Sequence, residues 1–328
     1  MELFDGRYEK LELLGRGSFS EVWKVRDSET GVIEALKIYT SPSSQNTEIM
    51  RIFTHEFSLM AYANHPNLLR PLHFAVSHPE GYPYLKLKYC NRGSIGQYVG
   101  RFNEKEARKL IKDISSALSY LHSQNPPIIH QDIKPENILL DEDNFMLSDF
   151  GVSTQVKTAL SPSSESGEVT AGTIAYMAPE KFDKGNEPIM ANDIYSLGTT
   201  VYEMLTGLLP FGNDGGLQQK AGAQIPELPT AFSLVLDKTL KACLNYTPWS
   251  RPRASQLVEV ANKVMKGEPI PLLPWERTEG GEEPIISKPI DPIPDLAPKP
   301  QEQSFPTMAI ITAAFAGIGA GVLLAFLF

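Results

Sequence analysis

Residues 128–140 read IIHQDIKPENILL and place a His, an Asp, a Lys and an Asn within one short, otherwise largely apolar stretch. The two Ile at its start and the Ile-Leu-Leu at its end predict that most of this stretch is buried. Buried charged groups are costly unless they are paired or bind a metal. The stretch therefore indicates a site that holds charged ligands, and the rest of the chain indicates which ligands these are.

Composition bounds the class of protein. The chain has 328 residues, 42% of them hydrophobic and 21% charged, which suits a two-lobed domain or two ordinary domains with tails. Its net charge of -9 argues against a nucleic-acid binder, because phosphate backbones attract basic surfaces. Only two Cys occur, Cys90 and Cys243, with no zinc-site spacing. We therefore expect no disulfide framework and a reducing compartment.

The last 22 residues, TMAIITAAFAGIGAGVLLAFLF at 307–328, carry no charged side chain. As a helix they would measure about 33 Å, against a hydrocarbon core of roughly 30 Å. We predict a single-pass membrane anchor here, with a buried core helix as the alternative. Gly317 and Gly321 form a GxxxG pair that could let two such helices pack as a homodimer; the alternative is that Gly is simply frequent in membrane helices. The first residues, MELFDGRYEK, lack the apolar core of a signal peptide.

Residues 271–306 contain nine Pro and a run of acids, a composition that cannot form a packed core. At about 3.1 Å per residue in polyproline conformation, the segment would reach on the order of 100 Å. We interpret it as a tether next to the membrane. A Pro-rich ligand for a partner domain is the alternative.

The beginning of the folded part reads as strands and the remainder as helices. Alternating or β-branched stretches predict strands at 8–17, 20–27, 31–39 and 83–90, and helical spacing predicts a helix at 48–63. Further helices are predicted at 103–124, beginning with a capping Asn103, and at 191–207 and 231–244. The helix at 191–207 is strongly apolar and is expected at the centre of its lobe. This order predicts an α+β fold of two lobes with a cleft between them.

Residues 13–25, LLGRGSFSEVWKV, place Gly15 and Gly17 in a turn between two strands. Glycines there let backbone N–H groups approach phosphates. The alternative is that these glycines serve only an ordinary hairpin turn. Lys37 follows on an alternating strand and would neutralise phosphates; a solvated surface Lys is the alternative.

These stretches and several further motifs follow one another in a fixed order along the chain. On these motifs the chain resembles the eukaryotic-type (Hanks-type) serine/threonine protein kinase family over about residues 8–266. The motifs are GxGxxGxV with Ser20 as its third position, EALK with Lys37, HQDIKPEN at 130–137, DFG at 149–151, APE at 178–180, NDIYSLG at 192–198, and Arg251 in SRPRA. The resemblance implies a bilobal protein-kinase fold, with an N-lobe at 1–87 and a hinge and C-lobe at 88–270. The linker at 271–306 and the transmembrane helix at 307–328 follow.

The resemblance also implies the chemistry of the cluster at 130–137. Asp132 would accept or orient the proton of the substrate hydroxyl, and Lys134 would neutralise the γ-phosphoryl group in transfer. Asn137 and Asp149 would hold Mg2+, or Mn2+, bound with ATP.

Lys37 is implied to contact the α- and β-phosphates and to pair with a helix Glu. Glu48 and Glu56 are both candidates. In the family this Glu lies about ten residues before the Pro of an HPN-like turn, so Pro66 selects Glu56.

The resemblance places adenine against apolar side chains and the hinge backbone, with Leu87 guarding the pocket. It implies as nucleotide-binding residues Leu14, Gly15, Gly17, Val22, Ala35, Lys37, Lys88, Cys90 and Leu139. It further implies two structural features: a buried ion pair between Glu180 and Arg251, and a brace from Asp193 to the catalytic loop.

Gln131 departs from the family, in which an Arg at this position pairs with a phosphorylated residue of the activation loop. We therefore predict that phosphorylation of Thr170 is not needed to order the loop through this contact. The alternative is that another basic residue does the pairing. Glu136 and Glu203 lie where some kinases bind substrate arginines, but both also occur in kinases without that preference, so the substrate motif stays open.

Three functions follow from these residues. The first is an active kinase that uses ATP to phosphorylate Ser and Thr of protein substrates, its own activation loop included. The second is a catalytically silent kinase fold that serves as a membrane scaffold or nucleotide sensor. The third, a small-molecule phosphotransferase, is disfavoured by the complete activation segment. Because ATP is cytosolic, the kinase domain is expected in the cytoplasm and the protein at a membrane as a tail-anchored form.

Overall fold

Five antiparallel strands form the sheet of the N-terminal lobe. In chain order they are β1 Tyr8–Arg16, β2 Ser20–Asp27, β3 Ile33–Tyr39, β4 His73–Val76 and β5 Pro83–Lys88, and their order across the sheet is β1-β2-β3-β5-β4. The computed structural model describes residues 3–17, 20–40, 47–149, 174–183, 185, 187–270 and 273–276. Side chains at 47–49, 52–53, 55–56 and 59 lie outside this description.

The two faces of the sheet are buried by different parts of the chain. On one face, Val25, Leu36, Ile38 and Tyr84 pack with Tyr8 in a cluster of their own. Strand β3 alternates, so Tyr39 belongs to the opposite face and joins the main core that continues into the C-terminal lobe. Lys37 also lies on that face, which turns toward the cleft.

Helices dominate the C-terminal lobe. The helices of the described chain are α1 Thr47–Tyr62 in the N-terminal lobe and then α2 Glu104–His122, α3 Met190–Thr206, α4 Gly216–Lys220, α5 Leu234–Cys243 and α6 Ala254–Met265. A hairpin of β6 Ile138–Asp141 and β7 Asn144–Leu147 lies at the cleft. Short 3-10 turns occupy Ile95–Tyr98, Pro135–Asn137, Pro179–Phe182, Gly212–Asp214, Pro248–Ser250 and Pro274–Glu276.

Helix α2 begins as its sequence predicts. The side chain of Asn103 accepts a hydrogen bond from Glu106 N at 3.0 Å, and the Glu106 carboxylate accepts one from Asn103 N at 2.9 Å. This reciprocal capping box satisfies two backbone N–H groups that have no partner within the helix. Its apolar residues recur at helical spacing and are buried: Ala107, Leu110, Ile111, Ile114, Ala117, Leu118 and Leu121.

Helix α3 is buried from Asn192 to Leu205 except at Glu203, which confirms the prediction that it lies at the centre of its lobe. Gly207 ends it with φ of 74°, a left-handed conformation in which a side chain is strained. Near its middle, Gly198 faces Cys243 on α5 and leaves no room for a side chain, since a Cβ there would lie 2.7 Å from the Cβ of Cys243.

The predicted strands and helices are confirmed to within a few residues at each end. The sequence analysis missed β4, β6, β7, α4 and α6. Residues beyond 270 still belong to the folded part, because Leu273 is buried and Trp275 packs against the main core. The fold thus extends into the segment interpreted as a tether. No helix of the described ranges is both long and apolar enough to cross a bilayer, and the predicted span at 307–328 lies outside those ranges.

Candidate active site

One buried carboxylate holds the backbone of the stretch that opened the sequence analysis. Asp193, on α3, has no exposed surface; it accepts hydrogen bonds from His130 N at 2.9 Å and Gln131 N at 2.8 Å. His122 Nε2, at the end of α2, lies 2.9 Å from the same carboxylate. Gln131 has φ of 67°, which is strained for a residue with a side chain and persists only where surrounding contacts enforce it. The brace expected from Asp193 is confirmed.

His130 links this loop to the residue before Asp149. Its Nε2 lies 2.8 Å from the carbonyl oxygen of Ser148, and its Nδ1 lies 3.3 Å from Asp132 N. A carbonyl oxygen only accepts and an amide N–H only donates, so these partners select the neutral ring with its proton on Nε2. His130 therefore ties the segment that carries Asp132 to the segment that carries Asp149.

Asp132, Lys134 and Asn137 converge in the cleft. Lys134 Nζ lies 2.9 Å from Asp132 Oδ1, and Asn137 Nδ2 donates to Asp132 Oδ2 at 3.1 Å. The Asn137 amide also donates to the backbone carbonyl of Asp132 at 2.7 Å. These contacts fix the carboxylate and place a cation beside it. Such an arrangement suits binding of a hydroxyl next to a transferring phosphoryl group.

Lys37 reaches across the cleft from β3. Its Nζ lies 2.6 Å from Oδ1 of Asp149, which is held with φ of 60°. Burial disfavours the charged ammonium, but the negative charge of Asp149, with contributions from Tyr39 and Asp132, outweighs this and raises the pKa of Lys37 above its ordinary value. Lys37 is therefore a permanent cation at neutral pH.

The residues present fit a divalent cation bound with a nucleotide. Both the N–H and the hydroxyl of Ser148 donate to the carbonyl oxygen of Asn137, at 2.9 and 3.0 Å, which sets Asn137 beside Asp149. Because the amide nitrogen of Asn137 is engaged by Asp132, its oxygen faces the other way. Mg2+ takes one or two protein oxygens and completes its shell with phosphate and water. Among the described residues, no group of three or more His, Cys, Asp or Glu is placed to hold a metal.

Most of the predicted nucleotide-binding residues lie on the sheet of the N-terminal lobe, and their contact with a nucleotide stays a prediction. Gly15 lies within β1 and only Gly17 falls in the turn to β2, so the prediction that both lie in the turn is wrong for Gly15. Gly15 pairs with Val22 and Val22 with Lys37 across adjacent strands, so Gly15 and Lys37 lie on one line across the sheet. No atom lies within 4 Å of a Cβ built on Gly15, which leaves room over this position. Residues 18 and 19 of this turn lie outside the described ranges.

The hinge and the cleft floor complete this pocket. Ala35 is buried and pairs with Leu87, the last strand residue before Lys88, whereas Leu14 is 41% exposed at the mouth. Below, Leu139 lies half-buried on β6. At the hinge, burial raises the pKa of the Cys90 thiol to about 12. The thiol is therefore neutral at physiological pH and would place no charge next to an adenine base.

Glu56, the predicted partner of Lys37, falls on α1, but its side chain lies outside the description. The same holds for all of Thr170 and for residues 150–173. The pairing of Lys37 with Glu56 therefore stays a prediction, and the contact that the structure gives Lys37 is with Asp149.

Residues 174–179, here called the platform segment, lie beside the catalytic cluster. Tyr176 donates its hydroxyl hydrogen to Glu203 at 2.6 Å, and the hydroxyl of Ser196 on α3 lies 2.8 Å from the carbonyl oxygen of Tyr176. Burial raises the pKa of Glu203, the bond from Tyr176 lowers it, and the nearby charge of Glu136 raises it again, with a net rise. Glu136 lies on the 3-10 turn Pro135–Asn137 that follows Lys134, so its charge couples this loop electrostatically to Glu203.

The buried ion pair predicted after the platform segment is confirmed. Arg251 Nη1 and Nη2 bind the two oxygens of Glu180 at 2.6 and 2.8 Å, and the Arg251 side chain is fully buried. The guanidinium also donates to the backbone carbonyls of Ala191, Asn245 and Tyr246. Removing one partner of such a pair costs about 3–5 kcal/mol, because the other charge is left buried.

The sequence analysis missed several residues that shape the site. His122 carries a weak signal, a His at the end of the apolar stripe of α2. Ser148 carries none, since its bonds to Asn137 depend on the fold. Gly215 and Gly216 were recognisable only as a turn.

Comparison with known proteins gives the same assignment for most of the chain. Residues 8–261 match the protein kinase domain family. An Aurora kinase of Encephalitozoon cuniculi is 35% identical over 228 residues, covering 68% of this chain and 79% of the relative. CBL-interacting protein kinase 24 of rice is 30% identical over 257 residues, covering 77% of this chain and 51% of the relative. The probable serine/threonine-protein kinase samkB of Dictyostelium discoideum is 32% identical over 272 residues, covering 77% of this chain and 42% of the relative. The chain thus spans about half or less of two of these three relatives.

Proposed function

The chain belongs to the protein kinase family as a protein serine/threonine kinase, and from that premise we propose that it transfers the γ-phosphoryl group of ATP to Ser and Thr hydroxyls of proteins while held at a membrane. Its own activation loop is among the proposed substrates. The observation that carries the proposal is the cluster of Asp132, Lys134 and Asn137 facing the pair of Lys37 and Asp149. A kinase fold that had lost catalysis would not need these five polar groups together.

Each residue has a role in the proposed transfer. Asp132, fixed by Asn137, accepts or orients the proton of the attacking hydroxyl. Lys134 neutralises the negative charge of the phosphoryl group, and Lys37 that of the α- and β-phosphates. Asn137 and Asp149 would hold Mg2+, which would neutralise negative charge on the phosphates. Burial in the cleft strengthens all of these interactions by excluding water.

The proposed membrane location rests on residues 307–328, which are long enough for one span and carry no charged residue. The Pro-rich residues before them would give the kinase domain reach from the bilayer, and the domain would face the cytosol where ATP is available. Gly317 and Gly321 would allow two such spans to pack as a homodimer.

The kinase proposal is tested with the full-length chain in detergent, Mg-ATP labelled at the γ-phosphate, and casein as acceptor beside the chain itself. We expect transfer by the wild type and a loss of at least a hundredfold in Asp132→Asn, which keeps the size of the side chain and removes its charge. Because Gln131 is neutral, Thr170→Ala is expected to keep most of the activity. Nucleotide binding without any transfer would instead support the silent scaffold. Loss of nearly all activity in Thr170→Ala would contradict the reading of Gln131.

A further inference from the structure

Helix α4 begins with two glycines that contact the backbone of the platform segment. Gly216 N donates to the carbonyl oxygen of Met177 at 3.0 Å. A Cβ built on Gly216 would lie 2.4 Å from Pro179 N and 2.6 Å from the carbonyl carbon of Ala178. These are main-chain atoms, which cannot turn aside as a flexible side chain can, so only glycine permits this approach.

Gly215 makes a second contact of the same kind. Its Cβ would lie 2.4 Å from the carbonyl oxygen of Ile174 and 2.8 Å from that of Ala175. Its φ of 51° with ψ of -129° is also a conformation that residues with side chains rarely adopt. Two consecutive glycines therefore press against both ends of the platform segment.

The platform segment is held from a second direction by α3, through Ser196 to the Tyr176 carbonyl and through Glu203 to the Tyr176 hydroxyl. Ala175, Tyr176 and Ala178 are all buried. The segment is thus clamped between α3 and α4, beside the loop that carries Asp132.

We propose that Gly215 and Gly216 are positioning residues for the protein substrate: by fixing the backbone of residues 174–179, they set the surface on which the substrate chain lies beside Asp132. The inference rests on the proposed kinase function. In this proposal Gly215 and Gly216 affect binding of the protein substrate, whereas the residues of the cleft bind ATP and carry out the phosphoryl transfer. Loss of the clamp therefore changes the half-saturating concentration of the protein substrate more than that of ATP.

The test compares Gly216→Ala and Gly215→Ala with Gly212→Ala in the full-length chain. Gly212 lies on the same turn with φ of 60°, but a Cβ there would have no atom within 4 Å. It therefore reports the strain of a left-handed residue without the contact. For each variant three quantities are measured: the half-saturating casein concentration, that of ATP, and the rate of ATP hydrolysis without casein.

We expect the half-saturating casein concentration to rise at least tenfold in Gly216→Ala and Gly215→Ala. ATP half-saturation and ATP hydrolysis should stay within twofold, and Gly212→Ala should stay within twofold throughout. Ser196→Ala removes the bond from α3 without adding an atom, and should raise the casein value about threefold. If the glycine variants do not fold, the casein half-saturation of Ser196→Ala tests the proposal in their place.

An unchanged casein value in the folded variants would overturn the proposal. So would a parallel fall of ATP hydrolysis and casein phosphorylation, since that would mark a merely structural role. A wild-type chain that hydrolyses ATP but phosphorylates neither casein nor itself would instead overturn the proposed function, and the role proposed for Gly215 and Gly216 with it.

Discussion

Asp27 shows what a single carboxylate contributes at the residue scale. It is buried at the end of β2, accepts hydrogen bonds from Arg7 Nη2 at 2.6 Å, and caps the following turn through Glu29 N at 2.9 Å and Thr30 N at 3.2 Å. The hydrogen bond from Arg7 lowers the pKa of Asp27 from 3.8 to about 2; burial opposes the shift, and the two backbone bonds add to it. The ionised form is therefore the one that the fold prefers.

The sign of the pH dependence follows. Because the pKa is lower in the folded chain than in the unfolded one, the stabilisation is complete above about pH 4 and is lost as pH falls through 2. We predict that Asp27→Asn lowers the urea midpoint at pH 6, and that its difference from the wild type stays constant down to about pH 4 and shrinks between about pH 4 and pH 2. Glu29→Gln is the control, because Glu29 also lies near Arg7, at 3.2 Å, but is 67% exposed. A difference that grows on acidification would contradict the assignment.

In the site, residues that belong to a local motif could be predicted from the sequence, whereas contacts between positions far apart in the chain could not. Asp132, Lys134, Asn137 and Asp149 were found because they stand in a recognisable local order. The bond between Lys37 and Asp149 joins positions 112 residues apart, and no local pattern encodes it. Ser148 was missed for the same reason: a serine becomes informative only when its acceptor, the Asn137 carbonyl, is brought within 3 Å by the hairpin.

At the scale of elements, the crossing of α3 and α5 depends on the absence of one side chain. Gly198 lies in the middle of α3, where glycine costs about 1 kcal/mol relative to alanine. The Cβ of Cys243 occupies the space an alanine would need, 2.7 Å away, and Leu244 lies 3.4 Å away. Close packing thus outweighs helix propensity at this crossing.

We predict that Gly198→Ala destabilises the kinase domain by up to about 2 kcal/mol, since overpacking typically costs 1–3 kcal/mol and the gain in helix propensity offsets about 1. Thermal unfolding of the purified variant measures this. The double variant Gly198→Ala, Cys243→Ala is the control; it removes the sulfur but keeps the Cβ and should recover little. Full recovery would mean that the sulfur, and not the Cβ, is the atom in conflict.

The elements that sequence patterns predicted are those with their own periodic signal or cap, such as α2 with Asn103 and β2 with its alternation. Strands β4, β6 and β7 have only four residues each, too few for a period to be recognised. Helix α4 has five residues and exists because its glycines pack against the platform segment. Its formation depends on tertiary contact and not on local preference.

At the scale of the whole molecule, the proposal that residues 307–328 anchor the kinase makes a direct prediction. Replacing Ile318, near the middle of this stretch, by Arg would cost about 3 kcal/mol in a bilayer. We expect Ile318→Arg to move the protein out of the membrane fraction on flotation, and Ile318→Leu to leave it there. If the wild type does not float with membranes, the stretch is not an anchor.

The buried pair of Glu180 and Arg251 has a consequence for the order in which the protein is completed during synthesis. Glu180 leaves the ribosome 71 residues before Arg251, so the ion pair that holds the end of the platform segment forms only after Arg251 has emerged. The catalytic cluster at 130–149 is present earlier, but the surface that receives a substrate is not. If residues 174–179 receive the substrate as proposed, we expect a nascent chain to phosphorylate no protein until Arg251 has emerged. Chains stalled before residue 251 should bind nucleotide and leave casein unmodified.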